Sequence, residues 1–492
     1  MCLGMFMAIL DVQVVATSLP TIQRALAVPA EQMSWIQTAY LTAEVISIPL
    51  TGFLTRWLGM RWLFVVGVSL FTAASAGCAA SGDFAQLIAL RVLQGFSGGV
   101  LIPAVFSAVF LLFPMRRQAV ATTLAGVLAV LAPTVGPIVG GWITETYSWR
   151  WLFLINVAPG VLAAVGAALL LPHERGAHSL WRTLDIVALG LLMIGSTALE
   201  IGLKEAPGRG WRSPVVVGLL ALSATSLAGF VRRVMSRATP IVDLRTLADR
   251  NFAVGSVLSF VLGIGLFGSV YLMPVFLAFV RGHEALRIGE IMLVTGAAQL
   301  VTAPLAVALE RRVDARLLSG CGFALFGVGL AMSARQTGAT DFDAMFLPQA
   351  VRGVAIMFCL LPPTRLALGQ LAPERVPDAS GLFNLMRNLG GAIGLAMIDT
   401  VIYGRLPHHA AAIAQRLRAG DRATAQNVGI PLDLFDAHPH GPLDPATVAM
   451  LEPMIRKLAL VQSINEAWML VAVLTFAALL AVPFAKPKAA VD

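Results

Sequence analysis

Ionisable side chains are rare inside the long apolar stretches of this sequence, and two of them are carboxylates. Asp11 lies near the middle of MAILDVQVVATSLPTI (residues 7–22), and Glu44 lies within the apolar stretch 34–54. A charge in the hydrocarbon core of a bilayer costs at least about 2.5 kcal/mol, so such a residue usually faces a cavity or a partner. We therefore predict that Asp11 and Glu44 carry protons. The alternative is a structural hydrogen-bonded pair.

A second polar group, later in the chain, consists of Asn384, Arg387 and Asn388. These residues are three and four positions apart, which places them on one face of a helix. They would point together either into a substrate cavity or into an interhelical hydrogen-bond network. Flexible methionines beside aromatic rings suit loosely specified hydrophobic ligands, so Met357 and Phe383 are candidate cavity residues. Packing in the core or against lipid is the alternative for both.

Five further charged residues lie nearer the ends of predicted helices, and we expect their side chains to be solvated or to extend to the membrane interface. They are Glu200, Glu290, Arg352, Asp399 and Glu466. The other reactive residues form no catalytic or metal-binding pattern. All seven histidines fall in predicted connections, and the four cysteines have no metal-type spacing. The sequence therefore predicts neither an enzyme nor a metal or cofactor site.

Helices that cross a membrane must position these residues. The 492-residue chain is 58% hydrophobic and only 13% charged, whereas soluble proteins are about 25% charged. Fourteen apolar stretches are long enough to cross about 30 Å of hydrocarbon. They lie near 1–20, 34–54, 62–80, 86–113, 119–143, 150–171, 185–203, 214–231, 252–276, 287–309, 317–334, 344–368, 379–403 and 464–484. The expected fold class is an all-α polytopic membrane protein.

The basic residues indicate how these helices are oriented. The net charge of +8 comes from short clusters between apolar stretches, which the positive-inside rule explains without nucleic acid as a partner. If the N-terminus is cytoplasmic, the inside connections hold 18 Lys and Arg and the short outside loops hold 8. We therefore expect both termini in the cytoplasm and the long segment 404–463 outside.

The chain also contains an internal repeat at an offset of about 255 to 259 residues. The matching pairs are RVLQGFSGGVLIP (91–103) with QAVRGVAIMFCLLP (349–362), and PLTGFLTRWLGMR (49–61) with PLAVALERRVDAR (304–316). Duplicated six-helix halves that rock around a central site are a transporter architecture. The predicted units are an N-terminal six-helix repeat at 1–171, a linker with two inserted helices at 172–251, and a C-terminal six-helix repeat at 252–492 that includes segment 404–463.

Four motifs of the chain match those of one transporter family. They are LDVQVVATSLPTI (10–22), RVLQGFSGGVLIP (91–103), GVLAVLAPTVGPIVGGWI (126–143) and WRWLFLINVAPG (149–160). The chain resembles the fourteen-helix drug:proton antiporters of the major facilitator superfamily, the EmrB/QacA type, and within it the EmrB subgroup. The resemblance implies that Arg91 takes part in proton coupling. Its position alone also fits a helix-end arginine that reaches the membrane interface.

The fifth apolar stretch is rich in residues that permit close helix contact and bending. They are Gly126, Pro133, Gly136, Pro137, Gly140 and Gly141. The resemblance implies that this segment is the antiporter motif, which marks exporters. Plain tight packing is the alternative.

The family resemblance also implies substrates and partners. We expect proton-coupled export of small hydrophobic or amphipathic toxic compounds across the bacterial inner membrane. A transporter of one specific metabolite, siderophore or fatty acid on the same fold is the alternative. EmrB-type pumps work with a periplasmic adaptor and an outer-membrane channel, and segment 404–463 contains an apolar helical stripe that we expect to help dock an adaptor. Membrane anchoring is the alternative for this stripe. It consists of Val448, Leu451, Ile455 and Leu458.

Overall fold

Helices make up all the regular secondary structure in the described part of the chain. The computed structural model describes residues 1–112, 115–172, 185–237, 242–310, 312–369, 371, 375–437 and 445–486. The helices are α1 (Cys2–Ala25), α2 (Trp35–Ser47), α3 (Leu50–Leu58), α4 (Met60–Ala80), α5 (Phe84–Leu112), α6 (Met115–Thr146), α7 (Trp151–Leu154), α8 (Val157–Leu170), α9 (Ile186–Arg209), α10 (Pro214–Ser236), α11 (Arg250–Phe279), α12 (Ala285–Glu310), α13 (Ala315–Ser333), α14 (Phe342–Leu368), α15 (Val376–Arg418), α16 (Arg422–Val428), α17 (Leu432–Ala437) and α18 (Pro445–Ala477). Short 3₁₀ helices lie at Ala30–Gln32, Leu244–Ala248 and Ala478–Phe484.

Each predicted membrane span overlaps one or more of these helices. Among the described residues, 12 helices are long and apolar enough to cross a membrane. The second predicted span is divided at Pro49 into α2 and α3, because proline lacks the N–H that would continue the helical hydrogen bonds. The predicted all-α membrane fold is confirmed. The count of fourteen transmembrane helices is compatible with the structure and stays a prediction.

An aspartate side chain caps the N-terminus of each of four helices after residue 184. The side chains of Asp185, Asp249, Asp314 and Asp341 accept hydrogen bonds from backbone N–H groups in the first turns of α9, α11, α13 and α14. Such caps satisfy N–H groups that have no partner within the helix. The local sequence therefore fixes where these four helices start.

Helix α6 packs against α1 in the first half of the chain and against α12 in the second half. Glycines make both contacts close. A Cβ atom on Gly140 would lie 2.6 Å from the carbonyl oxygen of Val14, and one on Gly141 would lie 2.4 Å from that of Ala285. Gly289 of α12 faces the backbone of α6 in the same way. Only glycine fits at these points without moving a helix, so α6 forms the seam between the two halves.

The other residues of the predicted antiporter motif also lie on α6. A Cβ atom on Gly136 would be 2.5 Å from Cβ of Gln13 in α1, so this position also belongs to a close contact. Pro133 and Pro137 lie inside the helix. The surroundings of Gly126 fall outside the described residues. The role of this segment as an antiporter motif stays a prediction.

The two predicted inserted helices correspond to α9 and α10. They pack mainly on each other, and α9 also contacts α2 and α15. Since α2 belongs to the first half and α15 to the second, α9 lies along a line where the halves meet. The predicted division of the chain at 171 and 251 stays a prediction.

Replacing Gly141 with Leu should force α6 away from α12, because its side chain would overlap the backbone of α12. We expect the free energy of unfolding to fall by about 1–3 kcal/mol, the usual cost of overpacking. Gly166→Leu is the matched control, because no atom lies within 4 Å of a Cβ there. Thermal unfolding in detergent compares the three proteins, and equal midpoints would contradict the close contact.

Candidate functional site

A buried ion pair lies in the interior of the first half of the chain. Nη1 of Arg91 in α5 is 2.5 Å from Oδ2 of Asp11 in α1, and both side chains have no exposed surface. Two amides complete the shell of the carboxylate. Nε2 of Gln94 donates to Oδ1 of Asp11 at 2.9 Å, and Nδ2 of Asn156 donates to the same oxygen at 2.8 Å. The negative charge of Asp11 is therefore fully paired.

Arg91 lies against polar atoms and an aromatic ring. Its Nε donates to the carbonyl oxygen of Ile36 at 3.0 Å, and Nη1 also donates to Oε1 of Gln94 at 2.7 Å. The guanidinium lies 4.4 Å from the centre of the Tyr40 ring, which allows a cation–π interaction. Arg91 is thus buried beside Asp11 rather than extended to the membrane surface. Its part in proton coupling stays a prediction.

Glycines of α5 bring α2 into contact with this pair. A Cβ atom on Gly98 would lie 2.4 Å from the hydroxyl oxygen of Tyr40, and one on Gly99 would lie 2.9 Å from Cα of Glu44. A larger residue at position 98 would displace the Tyr40 side chain, and one at position 99 would press on the backbone of α2. The glycines in RVLQGFSGGV therefore fix the distance between Arg91 and the side chains of α2.

Glu44 connects the two halves of the chain. Nδ2 of Asn388 in α15 donates to Oε2 of Glu44 at 2.8 Å. Arg387 lies close enough to Glu44 for their charges to interact, and its Nη2 donates to Oδ1 of Asn384 at 2.5 Å. Of the three polar residues, Asn388 makes the interhelical hydrogen bond, whereas Arg387 and Asn384 bond within α15. The role of Asn384, Arg387 and Asn388 in a substrate cavity stays a prediction.

Tyr40 lies between the two carboxylates. Its ring contacts Arg91, the partner of Asp11, and its hydroxyl donates to the carbonyl oxygen of Ala8 at 3.4 Å. Glu44 lies four residues further along α2, on the same helix face. The contacts give a path of neighbouring buried side chains from Asp11 through Arg91 and Tyr40 to Glu44 and Asn388. This path contains two titratable carboxylates and ends on the other half of the chain.

A third buried cluster surrounds Asp399 of α15. Tyr271 of α11 donates to its Oδ1 at 2.8 Å, and Ser34 donates to its Oδ2. Nζ of Lys204 in α9 lies 3.3 Å from the same Oδ2 and 4.6 Å from the centre of the Trp35 ring. The inserted helix α9 therefore supplies the cation that joins the α1–α2 connection to α15.

The expectation of solvated side chains is wrong for three of the five residues near predicted helix ends. Glu200, Arg352 and Asp399 are 3%, 2% and 4% exposed. For Glu200 and Asp399 the reason is helix length, because α9 and α15 continue beyond their predicted ends at 203 and 403. Arg352 is covered by Trp468 of α18. The side chains of Glu290 and Glu466 are 46% and 37% exposed, as expected.

The two candidate cavity residues lie in packed apolar clusters. Met357 of α14 packs with Ala306 of α12, and Phe383 of α15 packs in a group that includes Val45 and Phe252. Both side chains are nearly fully buried, at 2% and 4% exposed. Their role in lining a substrate cavity stays a prediction.

Sequence reasoning missed the neutral partners of the charged residues. Gln94 and Asn156 both lie inside motifs that resemble the family, in RVLQG and LINVAPG. Gln94 is also three residues after Arg91, the spacing that places two side chains on one helix face. That spacing was a usable signal, whereas nothing in the sequence pairs Asn156 with Asp11.

Comparison with known proteins agrees with this architecture. Residues 1–395 match the family model described as Major Facilitator Superfamily. The chain belongs to this superfamily. The predicted family is confirmed, and the protein is a multi-pass membrane protein of a transporter superfamily.

Two relatives and one solved structure illustrate the similarity. The chain is 35% identical to the colistin resistance protein EmrB of Acinetobacter baumannii, over 85% of this chain and 82% of the relative. It is 32% identical to the multidrug export protein EmrB of Escherichia coli K12, over 84% of this chain and 81% of the relative. A bacterial homolog of the human lysosomal transporter Spinster, in an inward-facing and occupied conformation, superposes with a TM-score of 0.64 at 13% identity, over 98% of this chain and 95% of that one. At this identity, the structural similarity concerns the fold alone.

Asp11→Asn and Arg91→Gln should each destabilise the protein by about 3–5 kcal/mol, because each leaves its partner charged and buried. The double variant should lose less than the sum of the two, since neither charge remains. Unfolding of the purified proteins in detergent measures how much free energy of unfolding each of the three variants loses. Additive losses would contradict a direct interaction between the two side chains.

Proposed function

We propose that this protein is a proton-coupled multidrug efflux antiporter, which exports hydrophobic or amphipathic toxic compounds across the bacterial inner membrane. The observation that carries the proposal is the path of buried side chains that links Asp11 and Glu44 to Asn388 on the other half. The printed names of the relatives, a colistin resistance protein and a multidrug export protein, support export of toxic compounds.

The proposed coupling uses the charge of Glu44. A hydrogen bond to an ionised carboxylate is about twice as strong as one to a neutral carboxyl group. Protonation of Glu44 would therefore weaken its contact with Asn388 and favour separation of the halves on that side. Protonation of Asp11 would remove the counterion of Arg91 and so change the charge next to Tyr40. Arg91 cannot itself lose its proton in a protein, so the carboxylates carry the exchange.

We also propose that both termini lie in the cytoplasm, which puts the Asp399 cluster near the outer ends of its helices. Lys204 then holds the outer ends of α2 and α15 together while the other side is open. Transport would require the ion pair between Lys204 and Asp399 to break when the outer side opens.

Replacing Glu44 with Gln should abolish export driven by a pH gradient, because the amide can still accept a hydrogen bond from Asn388 but has no titratable proton. Substrate binding should remain within about threefold of that of the unaltered protein, a difference of less than 1 kcal/mol. Inverted vesicles with an acidic interior, to which a lipophilic cation, an uncharged drug or a fatty acid is added from outside, report proton release. Asp11→Asn should have the same effect where enough folded protein is recovered.

The matched control for this test is Glu290→Gln. The side chain of Glu290 is 46% exposed and pairs with Arg287 on the surface of α12, away from the path. This variant should keep normal pH-driven export. If Glu44→Gln and Asp11→Asn also exported at the normal rate under a pH gradient, neither carboxylate would carry the coupled proton.

We further propose that segment 404–463 docks a periplasmic adaptor, as part of a route to an outer-membrane channel. The end of α15 and the start of α18 pack around a small apolar core that includes Ile413 and Leu417. Leu451 and Ile455 from the predicted stripe line a cavity of about 430 Å³ against α15. The side chain of Val448 lies outside the described residues. An apolar helix of the adaptor would occupy this cavity.

Filling the cavity tests the docking proposal without removing a core side chain. Ala414 lines the cavity, so Ala414→Trp should abolish adaptor pull-down and drug resistance in cells while leaving transport by purified vesicles intact. Ala412→Trp is the control, because Ala412 is exposed on the same helix. An equal fall in vesicle transport by Ala414→Trp would assign the segment to the transporter itself.

A further inference from the structure

Arg352 of α14 is a buried arginine without a carboxylate partner in the described part of the chain. It is 2% exposed, and its Nε and Nη1 have no hydrogen-bond partner there. The guanidinium lies 4.7 Å from the centre of the Trp468 ring in α18. A cation–π contact offsets part of the cost of removing a cation from water, but it does not neutralise the charge. Arginine stays charged in proteins, so a counterion is required.

A small cavity of about 50 Å³ lies beside this guanidinium. Arg335 also lines it, and the residues that line it include Ser333 and Gln336 but no carboxylate. Oε1 of Gln336 is buried without a partner in the described residues. The nearby Asp341 accepts hydrogen bonds from Arg281 and His283, so its charge is already paired. The cavity is large enough for one small ion with a water molecule, but far smaller than a drug-sized ligand.

The internal repeat explains why this charge is unpaired. QAVRG (349–353) aligns with RVLQG (91–95), so the arginine and the glutamine have exchanged places on the same helix face. Asp11 neutralises Arg91 in the first half. The positions 255–259 residues after Asp11 are 266–270, and they read LFGSV. The second half therefore has the cation of the repeated site without its carboxylate.

We propose that the cavity beside Arg352 binds a small monovalent anion of halide size, chloride in the cell, as the counterion of this arginine. The ion would accept a hydrogen bond from the guanidinium of Arg352, which lines the cavity. A water molecule beside it would donate to Oε1 of Gln336, which an anion cannot do. The proposal goes beyond the proposed export function and does not depend on it.

Thermal unfolding of the purified full-length protein in detergent tests the site without any transport. Sodium chloride, bromide and formate are each titrated against sodium gluconate at constant ionic strength, because gluconate is too large for the cavity. Chloride and bromide should raise the midpoint temperature of unfolding, and this rise should level off at high concentration, as expected for binding to the folded state. Arg352→Gln should raise the half-saturating concentration at least about tenfold, a loss of about 1.4 kcal/mol of binding. Arg287→Gln is the control and should leave that concentration unchanged.

A second measurement keeps the test decisive if Arg352→Gln does not fold. Anomalous scattering from bromide in crystals of the unaltered protein should give a peak within hydrogen-bonding distance of the Arg352 guanidinium. Equal midpoints in halide and gluconate, or a bromide peak only elsewhere, would overturn the proposal. Saturation by formate without saturation by halide would overturn the halide assignment in favour of a carboxylate.

Discussion

The ion pair between Asp11 and Arg91 is the interaction that constrains the rest of the first half. Removing two ions from water costs several kcal/mol each, and their mutual attraction offsets this only if the remaining donors and acceptors are also satisfied. Gln94 and Asn156 supply donors to Asp11, and the Ile36 carbonyl accepts from Arg91. These groups come from different helices. A single pair therefore fixes several helices relative to one another, in a medium where the hydrophobic effect does not hold helices together.

Such short polar contacts require helices whose backbones nearly touch, and this accounts for the glycines at the contacts. Gly98 and Gly99 bring α2 onto α5, while Gly140 and Gly141 bring α6 onto α1 and α12. The two kinds of contact between the halves differ in whether they contain a buried titratable group. The α6–α12 contact consists mainly of small residues and backbone, and its carboxylate Glu145, which accepts a hydrogen bond from the N–H of Leu286 at 2.7 Å, is exposed. The contact at Glu44 contains a titratable group, so its strength depends on protonation.

The sequence predicted the charged part of the candidate site because charges are conspicuous in an apolar stretch. Asp11, Glu44 and Arg91 stand out for this reason, and a three- and four-residue spacing places Arg387 and Asn388 beside Asn384 on one face of a helix. The neutral partners could not be predicted in the same way. Gln94 and Asn156 cost little at a helix contact, and their role depends on which helices are neighbours. The contacts of α9 could not be predicted either, because Lys204 lies just beyond the predicted end of the span at 203.

The two halves differ in how they neutralise equivalent positive charges, and this difference fits an exchanger better than a symmetric arrangement would. A carboxylate counterion changes its charge when it binds a proton, whereas an arginine does not change at all. Asp11 is therefore a counterion that a proton can neutralise, whereas the charge of Arg352 stays fixed. The difference between a hydrogen bond to a charged group and one to a neutral group is about 1 kcal/mol, or roughly fivefold in an equilibrium. Couplings between sites are typically about 1–3 kcal/mol, so the proton on Glu44 alone supplies a bias at the low end of that range, and a proton on Asp11 would have to supply the rest.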